Sequence, residues 1–123
     1  MSEEVAKIIP KLWGYEKVIV NDSLYCGKIL TIVPNGNACS IHYHKKKTET
    51  FHILRGHLQF ERFDTHGTLQ KRSVLVAGDT ITLPPLTPHR FWVVDEVCEF
   101  IEFSTHDDPS DSYRLAPSGP RPD

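Results

Sequence analysis

Long apolar runs are absent from the 123-residue sequence, and none approaches the roughly 20 residues that a membrane-spanning helix requires. The first residues, MSEEVAKIIPKLWG, are acidic and lack the apolar core of a signal peptide. An excess of one charge is also absent, since 14 Lys and Arg face 16 Asp and Glu, for a formal net charge of -2. Domains that bind phosphate backbones are usually net positive, so the balance of charge predicts no nucleic-acid partner. The lack of a long apolar run and of a signal-peptide core predicts no membrane partner and a cytoplasmic location.

Cysteine is scarce. Cys26, Cys39 and Cys98 are widely spaced, odd in number and form no CxxC pair. This pattern predicts reduced, mostly buried thiols, with a thiolate metal ligand or nucleophile as the alternative.

A sustained 3.6-residue period is missing as well, so we expect no long amphipathic helix, and only SEEVAKII is compatible with one or two helical turns. Short β-type runs bounded by Gly, Pro, Asn and Asp are present instead. They predict strands near 15–20, 24–33, 39–44, 49–55, 57–63, 71–76, 79–83, 88–94 and 97–104. Many short, evenly spaced strands indicate an all-β sandwich or small jelly-roll barrel.

We divide the chain into an N-terminal arm at 1–14, a single β-barrel domain at 15–105 and a C-terminal tail at 106–123. Gly and Pro supply four of the last seven residues. We therefore expect the tail to lie over the domain and then to fray.

Histidine is concentrated in CSIHYHKKKTETFHILRG, residues 39–56. Side chains alternate along a strand, so His42 and His44 share one face with Tyr43 opposite. Two imidazoles on the inner face of a small barrel are costly to bury unless something satisfies them, as a metal ion does. A hairpin between 39–44 and 49–55 is expected to bring Glu49 beside them.

A fourth candidate ligand is His89, in GDTITLPPLTPHRFWVV. Strands distant in sequence become neighbours in a jelly roll, so His89 can join His42, His44 and Glu49. Three imidazoles and one carboxylate predict a divalent transition metal (Zn, Fe, Mn or Ni), with one or two positions open for water or substrate. The alternative is a metal-free pocket in which hydrogen bonds hold the same residues.

These residues resemble the two sequence motifs of the cupin superfamily. The first, G-x5-H-x-H-x4-E-x6-G, is matched without a gap by Gly36, His42, His44, Glu49 and Gly56. The second, G-x5-P-x-G-x2-H-x3-N, is followed by Gly78, Pro84 and His89, but Leu86 replaces its second glycine and Val93 its asparagine. The resemblance implies a cupin-type double-stranded β-helix, that is, a jelly-roll β-barrel, with the four predicted ligands as its metal site.

The flanking segments LWGYEKVI and CEFIEFSTHDDPSDSYRL are similar to those of type II mannose-6-phosphate isomerases and related sugar-nucleotide enzymes. In that family Lys47 corresponds to an arginine, Phe51 to a tryptophan and His42 to a glutamine. The positions that agree are Trp13, Gly14, Ser40, His44, Glu49, Pro84, His89, Arg90, Ile101, Glu102, Asp111, Tyr113 and Arg114.

This narrower resemblance implies a metal-dependent isomerase or epimerase of a sugar or sugar phosphate. The metal would polarise the carbonyl of the open-chain sugar and stabilise an enediolate. Glu49 and Lys47 are the candidate catalytic residues, with Lys47 at the pocket mouth, where it could meet a phosphate or carboxylate. The residues leave the general base unidentified. The alternatives are an Fe(II)-dependent cupin dioxygenase and a non-catalytic cupin that binds a sugar or another small molecule.

The remaining polar residues have simpler interpretations. Lys45 and Lys46 are expected in a solvated turn, and Arg90 in a structural ion pair. Glu99 and Glu102 are interpreted as surface charges on an edge strand. We assign no ligand role to His52, His57, His66 and His106.

The aromatic residues are expected in the core or at an interface: Trp13, Phe51, Phe60, Phe91, Trp92, Phe100 and Phe103. Single-domain cupins commonly pair through their outer strands, and the resemblance therefore implies a homodimer.

Overall fold

The computed structural model describes residue 3 and residues 5–122. These residues form β-strands and one short 3-10 helix, Pro109–Asp111. The strands are β1 Lys7–Lys11, β2 Gly14–Asn21, β3 Cys26–Ile32, β4 Asn37–Ala38, β5 Ile41–Tyr43, β6 Glu49–Arg55, β7 His57–Phe63, β8 Leu69–Val76, β9 Thr80–Leu83, β10 His89–Trp92, β11 Cys98–Ser104, β12 Tyr113–Ala116 and β13 Gly119–Pro120. Within this part of the chain, no helix is long and apolar enough to cross a membrane.

Two antiparallel sheets enclose one core. The six-stranded sheet has the order β1-β2-β3-β11-β6-β9, and the five-stranded sheet has the order β12-β5-β10-β7-β8. The ring of Phe51 on β6 meets the rings of Phe60 on β7 and Phe91 on β10, with centroids 6.4 and 6.3 Å apart. The inner faces of the two sheets therefore pack against each other, which confirms the predicted all-β jelly roll.

The inner face of the six-stranded sheet changes from apolar to charged along its strands. Leu30 and Phe100 are paired across β3 and β11, and both are buried in the core. Two residues further along the same strands, Lys28 is paired with Glu102, also buried. The apolar end forms the core, and the charged end is left to line a cavity.

The first strand corrects the helical turns expected over SEEVAKII. Residues 7–9 belong to β1, and the parts of residues 2–6 that the structure describes are not helical. β1 and β2 form a tight hairpin in which Lys11 is opposite Gly14. Pairing with β2 satisfies the backbone groups of β1 that face β2, and this pairing overrides the local helix propensity.

The predicted hairpin between 39–44 and 49–55 is wrong. Within that first segment only residues 41–43 form a strand, β5, which pairs with β10 and β12. β6 pairs instead with β11 and β9, in the other sheet. The loop between Tyr43 and Glu49 thus crosses from one sheet to the other, as jelly-roll topology requires.

The C-terminal residues are folded against the barrel as far as Pro122, and Asp123 lies outside the described residues. β12 pairs with β5, and β13 pairs with β4. The expected fraying is therefore not found in the described part of the tail. The division at residues 14 and 105 stays a prediction, although both flanking segments supply strands.

Most predicted core residues are buried. Cys26, Cys39 and Cys98 are free and buried, as expected. The predicted core aromatics are at most 5 % exposed, except Phe103, which is 55 % exposed on the outer face of β11.

Candidate metal centre

The four predicted ligands come from both sheets. His42 lies on β5, His44 follows its end, and His89 begins β10. His42 and His89 are direct cross-strand partners, and their ring centroids are 4.6 Å apart. Glu49 begins β6 in the facing sheet, and its Oε1 lies 3.7 Å from His44 Nε2 and 3.2 Å from His89 Nε2. The structure thus brings together all four residues that the motif spacing predicts.

Each of the three imidazoles is held by its Nδ1 atom. His42 donates to the Ser40 carbonyl over 3.0 Å, His44 to the Asp111 carbonyl over 2.6 Å, and His89 to the Thr87 carbonyl over 2.8 Å. A carbonyl oxygen only accepts, so these contacts place a ring hydrogen on Nδ1, and in the neutral imidazole Nε2 then carries the lone pair. This arrangement is the one that metal-binding histidines use.

Three acceptor atoms in the cluster are buried without a hydrogen-bond partner: His44 Nε2, His89 Nε2 and Glu49 Oε1. Acceptors cannot satisfy one another, and a buried unpaired polar atom is costly. A cation among them would satisfy all three, so the residues fit a divalent metal with nitrogen and oxygen ligands.

The four side chains lie close together, but in this structure they are not arranged as a metal-holding group. Within residues 3 and 5–122, no three His, Cys, Asp or Glu side chains converge into such a group. The carboxylate of Glu49 is shared instead with Lys47, whose Nζ lies 3.2 Å from Oε2. The four-ligand metal site therefore stays a prediction, supported by the unpartnered acceptors.

The directions of the pKa shifts of His42, His44 and Glu49 favour the forms that bind a metal. Burial, with a further contribution from His89, lowers the pKa of His42 to about 3, and burial beside Lys47 lowers the pKa of His44. Burial acts to raise the pKa of Glu49, but contacts with His89 and Lys47 outweigh it and hold this pKa well below its usual range. Neutral imidazoles and a carboxylate are the forms that bind a divalent cation.

A cavity of about 580 Å³ adjoins the cluster. His42, His44 and Glu49 contribute to its wall, together with residues of β1, β2, β3, β11 and the C-terminal segment. This volume falls within the range of small-molecule sites in proteins. A small ligand held in the cavity would therefore lie beside His42, His44 and Glu49.

Lys47 lies in the interior of the site rather than at the predicted pocket mouth. It is 4 % exposed, and its Nζ lies 3.2 Å from Glu49, 3.3 Å from Glu102 and 3.0 Å from Asp107. Its charge is already matched by three carboxylates. Lys47 thus has little charge left over for a phosphate or carboxylate of a substrate.

Glu102 contradicts its interpretation as a surface charge on an edge strand. β11 lies inside the six-stranded sheet between β3 and β6, and Glu102 is 4 % exposed on the inner face. Burial first, and then the nearby Glu49, raise the pKa of Glu102 to about 7, although Lys47 and Lys28 oppose the shift. The cavity is therefore lined by a carboxyl group whose pKa is raised toward neutral pH. The sequence interpretation missed this residue.

Asp111 is a second residue without a predicted role. Its carboxylate accepts the backbone N–H groups of Lys45, Lys46 and Lys47, at 2.9 to 3.3 Å, and its carbonyl accepts from His44. Asp111 thus fixes both a predicted ligand and the loop that leads to Glu49. Its match to the flanking isomerase pattern was the available signal.

The other predicted roles are mostly observed. Lys45 and Lys46 are exposed. Arg90 and Arg72 both pair with the buried Glu61 on the outer face, so Arg90 is structural. The four remaining histidines lie apart from the cluster: His52 contacts Thr80, His57 contacts Asp95 and Glu96, His66 lies in the β7–β8 turn and His106 contacts Asp22.

Comparison with known proteins supports the fold. No curated protein matches the chain. Oxalate decarboxylase from Bacillus subtilis at pH 4.6 superposes with a TM-score of 0.76 at 18% identity, over 89% of this chain and 30% of that chain. Oxalate decarboxylase from Lactobacillus farciminis, in a formate complex, superposes with a TM-score of 0.74 at 20% identity, over 89% of this chain and 34% of that chain. The capsular polysaccharide assembling protein CapF from Staphylococcus aureus gives 0.73 at 15% identity over 93% and 32%.

These identities are low, so the similarities show the fold alone, and the chain spans about a third of the length of each solved structure. The family model described as Cupin domain matches residues 28–104, which is more than half of the chain and includes His42, His44, Glu49 and His89. The chain therefore belongs to the cupin domain family.

Proposed function

We propose that the protein is a metal-dependent cupin enzyme that isomerises or epimerises a small sugar or sugar phosphate, as the type II mannose-6-phosphate isomerases do. The observation that carries this proposal is the set of unpartnered acceptors on His44, His89 and Glu49 beside a cavity of about 580 Å³. A divalent metal held by His42, His44, Glu49 and His89 would supply Lewis acidity toward the carbonyl and hydroxyl oxygens of the sugar.

Isomerisation also needs a group that carries a proton between neighbouring carbons of the open-chain sugar. Lys47 is unsuited to accept this proton, because the carboxylates of Glu102, Glu49 and Asp107 outweigh the effect of its burial and raise its pKa. Lys47 instead joins the carboxylates of Glu49 and Glu102, since its Nζ contacts both.

Glu102 is the better candidate for proton transfer. Its carboxyl group is buried, lines the cavity and contacts Lys47, which in turn contacts Glu49. It would remove the proton from one carbon and return it to the next through an enediolate. This proton transfer needs no oxidant or reductant. A buried carboxyl group that lines the cavity therefore favours isomerisation over the dioxygenase alternative.

The proposal is tested by metal analysis of protein purified without added metal, followed by a panel of aldoses, ketoses and their phosphates with and without oxygen. We expect about one divalent metal per chain and aldose–ketose interconversion or epimerisation in the absence of oxygen. Iron-dependent oxygen uptake would support the dioxygenase instead. A rise in melting temperature with sugars, without turnover, would support a binding protein.

The role of Glu102 predicts the effect of Glu102→Gln. The amide keeps the shape of the side chain but cannot accept the proton, so we expect kcat to fall about 100-fold or more with metal content unchanged. Glu99→Gln is the matched control, because Glu99 lies on the same strand with its side chain on the opposite face. Full activity of Glu102→Gln would exclude Glu102 as the proton carrier.

A further inference from the structure

We infer that Lys7, Lys11 and Arg114 form a binding site for an oxyanion at the mouth of the cavity, so that the small-molecule substrate carries a phosphate or carboxylate group. This inference rests on the proposed function for the identity of the rest of the substrate. The three residues belong to β1 and β12, which are edge strands of the two sheets. All three line the cavity.

The charged side chains around the cavity differ in whether they form ion pairs. Five basic and five acidic side chains line it: Lys7, Lys11, Lys28, Lys47 and Arg114, with Glu16, Glu49, Glu102, Asp107 and Asp108. Every acidic side chain is engaged. Glu16 pairs with Lys28, and Asp107 pairs with both Lys28 and Lys47. Glu49 and Glu102 pair with Lys47.

Asp108, the fifth acidic residue, accepts hydrogen bonds from the backbone N–H and the hydroxyl of Ser110. In contrast, no ion pair found within residues 3 and 5–122 involves Lys7, Lys11 or Arg114. The basic side chains of the cavity wall that have no ion pair among the described residues are therefore these three.

The direction of the side chains also supports the site. Lys7 and Lys11 lie four residues apart on β1 and share one face with Ile9, which also lines the cavity. Lysines on an edge strand often serve only to prevent pairing with another chain. That role needs no contact with a cavity, whereas these two side chains contribute to its wall.

The position of Arg114 relative to the metal cluster supports the site as well. Arg114 is the cross-strand partner of His42, and His42 is in turn the partner of His89. Side chains of directly paired residues lie on the same face of a sheet with their Cβ atoms about 5 Å apart. Arg114 is thus placed to bind an anionic group of a ligand that also reaches the cluster, and its guanidinium suits a two-oxygen contact.

The inference assigns to these residues the role that the sequence suggested for Lys47. Lys47 is paired with three carboxylates, so the basic side chains free to bind an anion in the cavity are Lys7, Lys11 and Arg114. The three cations would select anionic ligands over neutral ones of the same shape.

The test is a calorimetric titration at low ionic strength with three probes of related shape: D-glucose 6-phosphate, D-glucuronate and D-glucose. Metal-free and metal-loaded protein are both titrated. We expect at least one of the two anions to bind about tenfold or more tightly than D-glucose, with affinity falling at high salt. The stronger of the two anions identifies the group as phosphate or carboxylate.

The variant for this test combines Lys7→Gln, Lys11→Gln and Arg114→Gln. Its matched control combines Lys17→Gln, Arg55→Gln and Lys71→Gln, which remove the same charge at exposed positions that do not line the cavity. We expect the first variant to lose about tenfold or more in anion affinity and the control to stay close to the wild type.

Equal binding of D-glucose and its anionic relatives, no measurable anion binding, or equal losses in the two triple variants would overturn the inference. Failure of the proposed function is distinguishable. Anion binding that depends on the three residues, without any isomerisation, leaves the site intact and removes the proposed activity. Isomerisation of neutral sugars, with no tighter binding of sugars that carry an anionic group, supports the proposed activity and removes the oxyanion site.

Discussion

At the scale of single residues, Leu86 has an unusual backbone. Its φ is 65, in the left-handed region, at the position where the second cupin motif has glycine. Its N–H donates to the carbonyl of His44 over 2.7 Å, which ties the loop before His89 to the strand that holds the other histidines. The turn therefore keeps the geometry that glycine would adopt, although an L side chain there costs about 1–2 kcal/mol.

This strain predicts that Leu86→Gly stabilises the protein. The side chain of Leu86 is 55 % exposed, so little burial is lost. After the greater flexibility of glycine in the unfolded chain is deducted, we expect a gain of about 0.5–1 kcal/mol and a rise in Tm of about 2–4 °C. Leu54→Gly, at an exposed position within β6, is the control and should lower Tm. Equal losses in the two variants would contradict the strain.

Residue types and spacing predicted that His42, His44, Glu49 and His89 lie together, and the structure places them close to one another, while their role as metal ligands stays a prediction. Glu102 was missed because its burial depends on which strands flank β11. The alternation of Cys98, Phe100 and Glu102 was a usable signal, since all three share one face and the first two are apolar.

At the scale of elements, the short 3-10 helix and β12 support the cluster of predicted ligands from outside the barrel. Asp111 joins them to the Lys45–Lys47 loop through three backbone N–H groups and to His44 through its carbonyl. These contacts span more than 60 residues of sequence. Local composition, rich in Pro, Ser and Asp, indicated only a tail, so the support it gives the site was not predictable.

We expect Asp111→Ala to weaken the site without abolishing the fold. Three buried or partly buried N–H groups would lose their acceptor, which lowers the free energy of unfolding by about 1–3 kcal/mol. Loss of this outer support should weaken metal affinity about 10- to 100-fold. Asp108→Ala, in the same turn but bonded only to Ser110, is the control. The measurements are metal titration and thermal unfolding, and unchanged metal affinity in Asp111→Ala would contradict the expectation.

At the scale of the whole molecule, local patterns predicted the architecture but not the neighbours of each strand. Alternation and turn residues gave most strands and the jelly roll, whereas the hairpin from 39–44 to 49–55 was wrong because sheet order is decided by long-range packing. The predicted ligands still meet, since β5 and β6 face each other across the barrel. The homodimer stays a prediction, for which the exposed Phe103 on the outer face of β11 offers apolar surface.

Because the predicted ligands come from both sheets, metal binding should stabilise the whole barrel. His42, His44 and His89 belong to the five-stranded sheet or its loop, and Glu49 begins a strand of the six-stranded sheet. A metal at 100 times its Kd adds about 2.7 kcal/mol, which corresponds to a rise in Tm of about 10 °C for a chain of this length. We expect this rise on adding Zn²⁺ or Mn²⁺ to chelator-treated protein, measured by calorimetry. His44→Ala should bind well below one metal per chain and lose most of the rise, while His52→Ala, on the outer face of β6, should keep it. An equal rise in both variants would place the metal elsewhere, because of these two histidines His44, not His52, has its Nε2 buried and unpartnered beside Glu49.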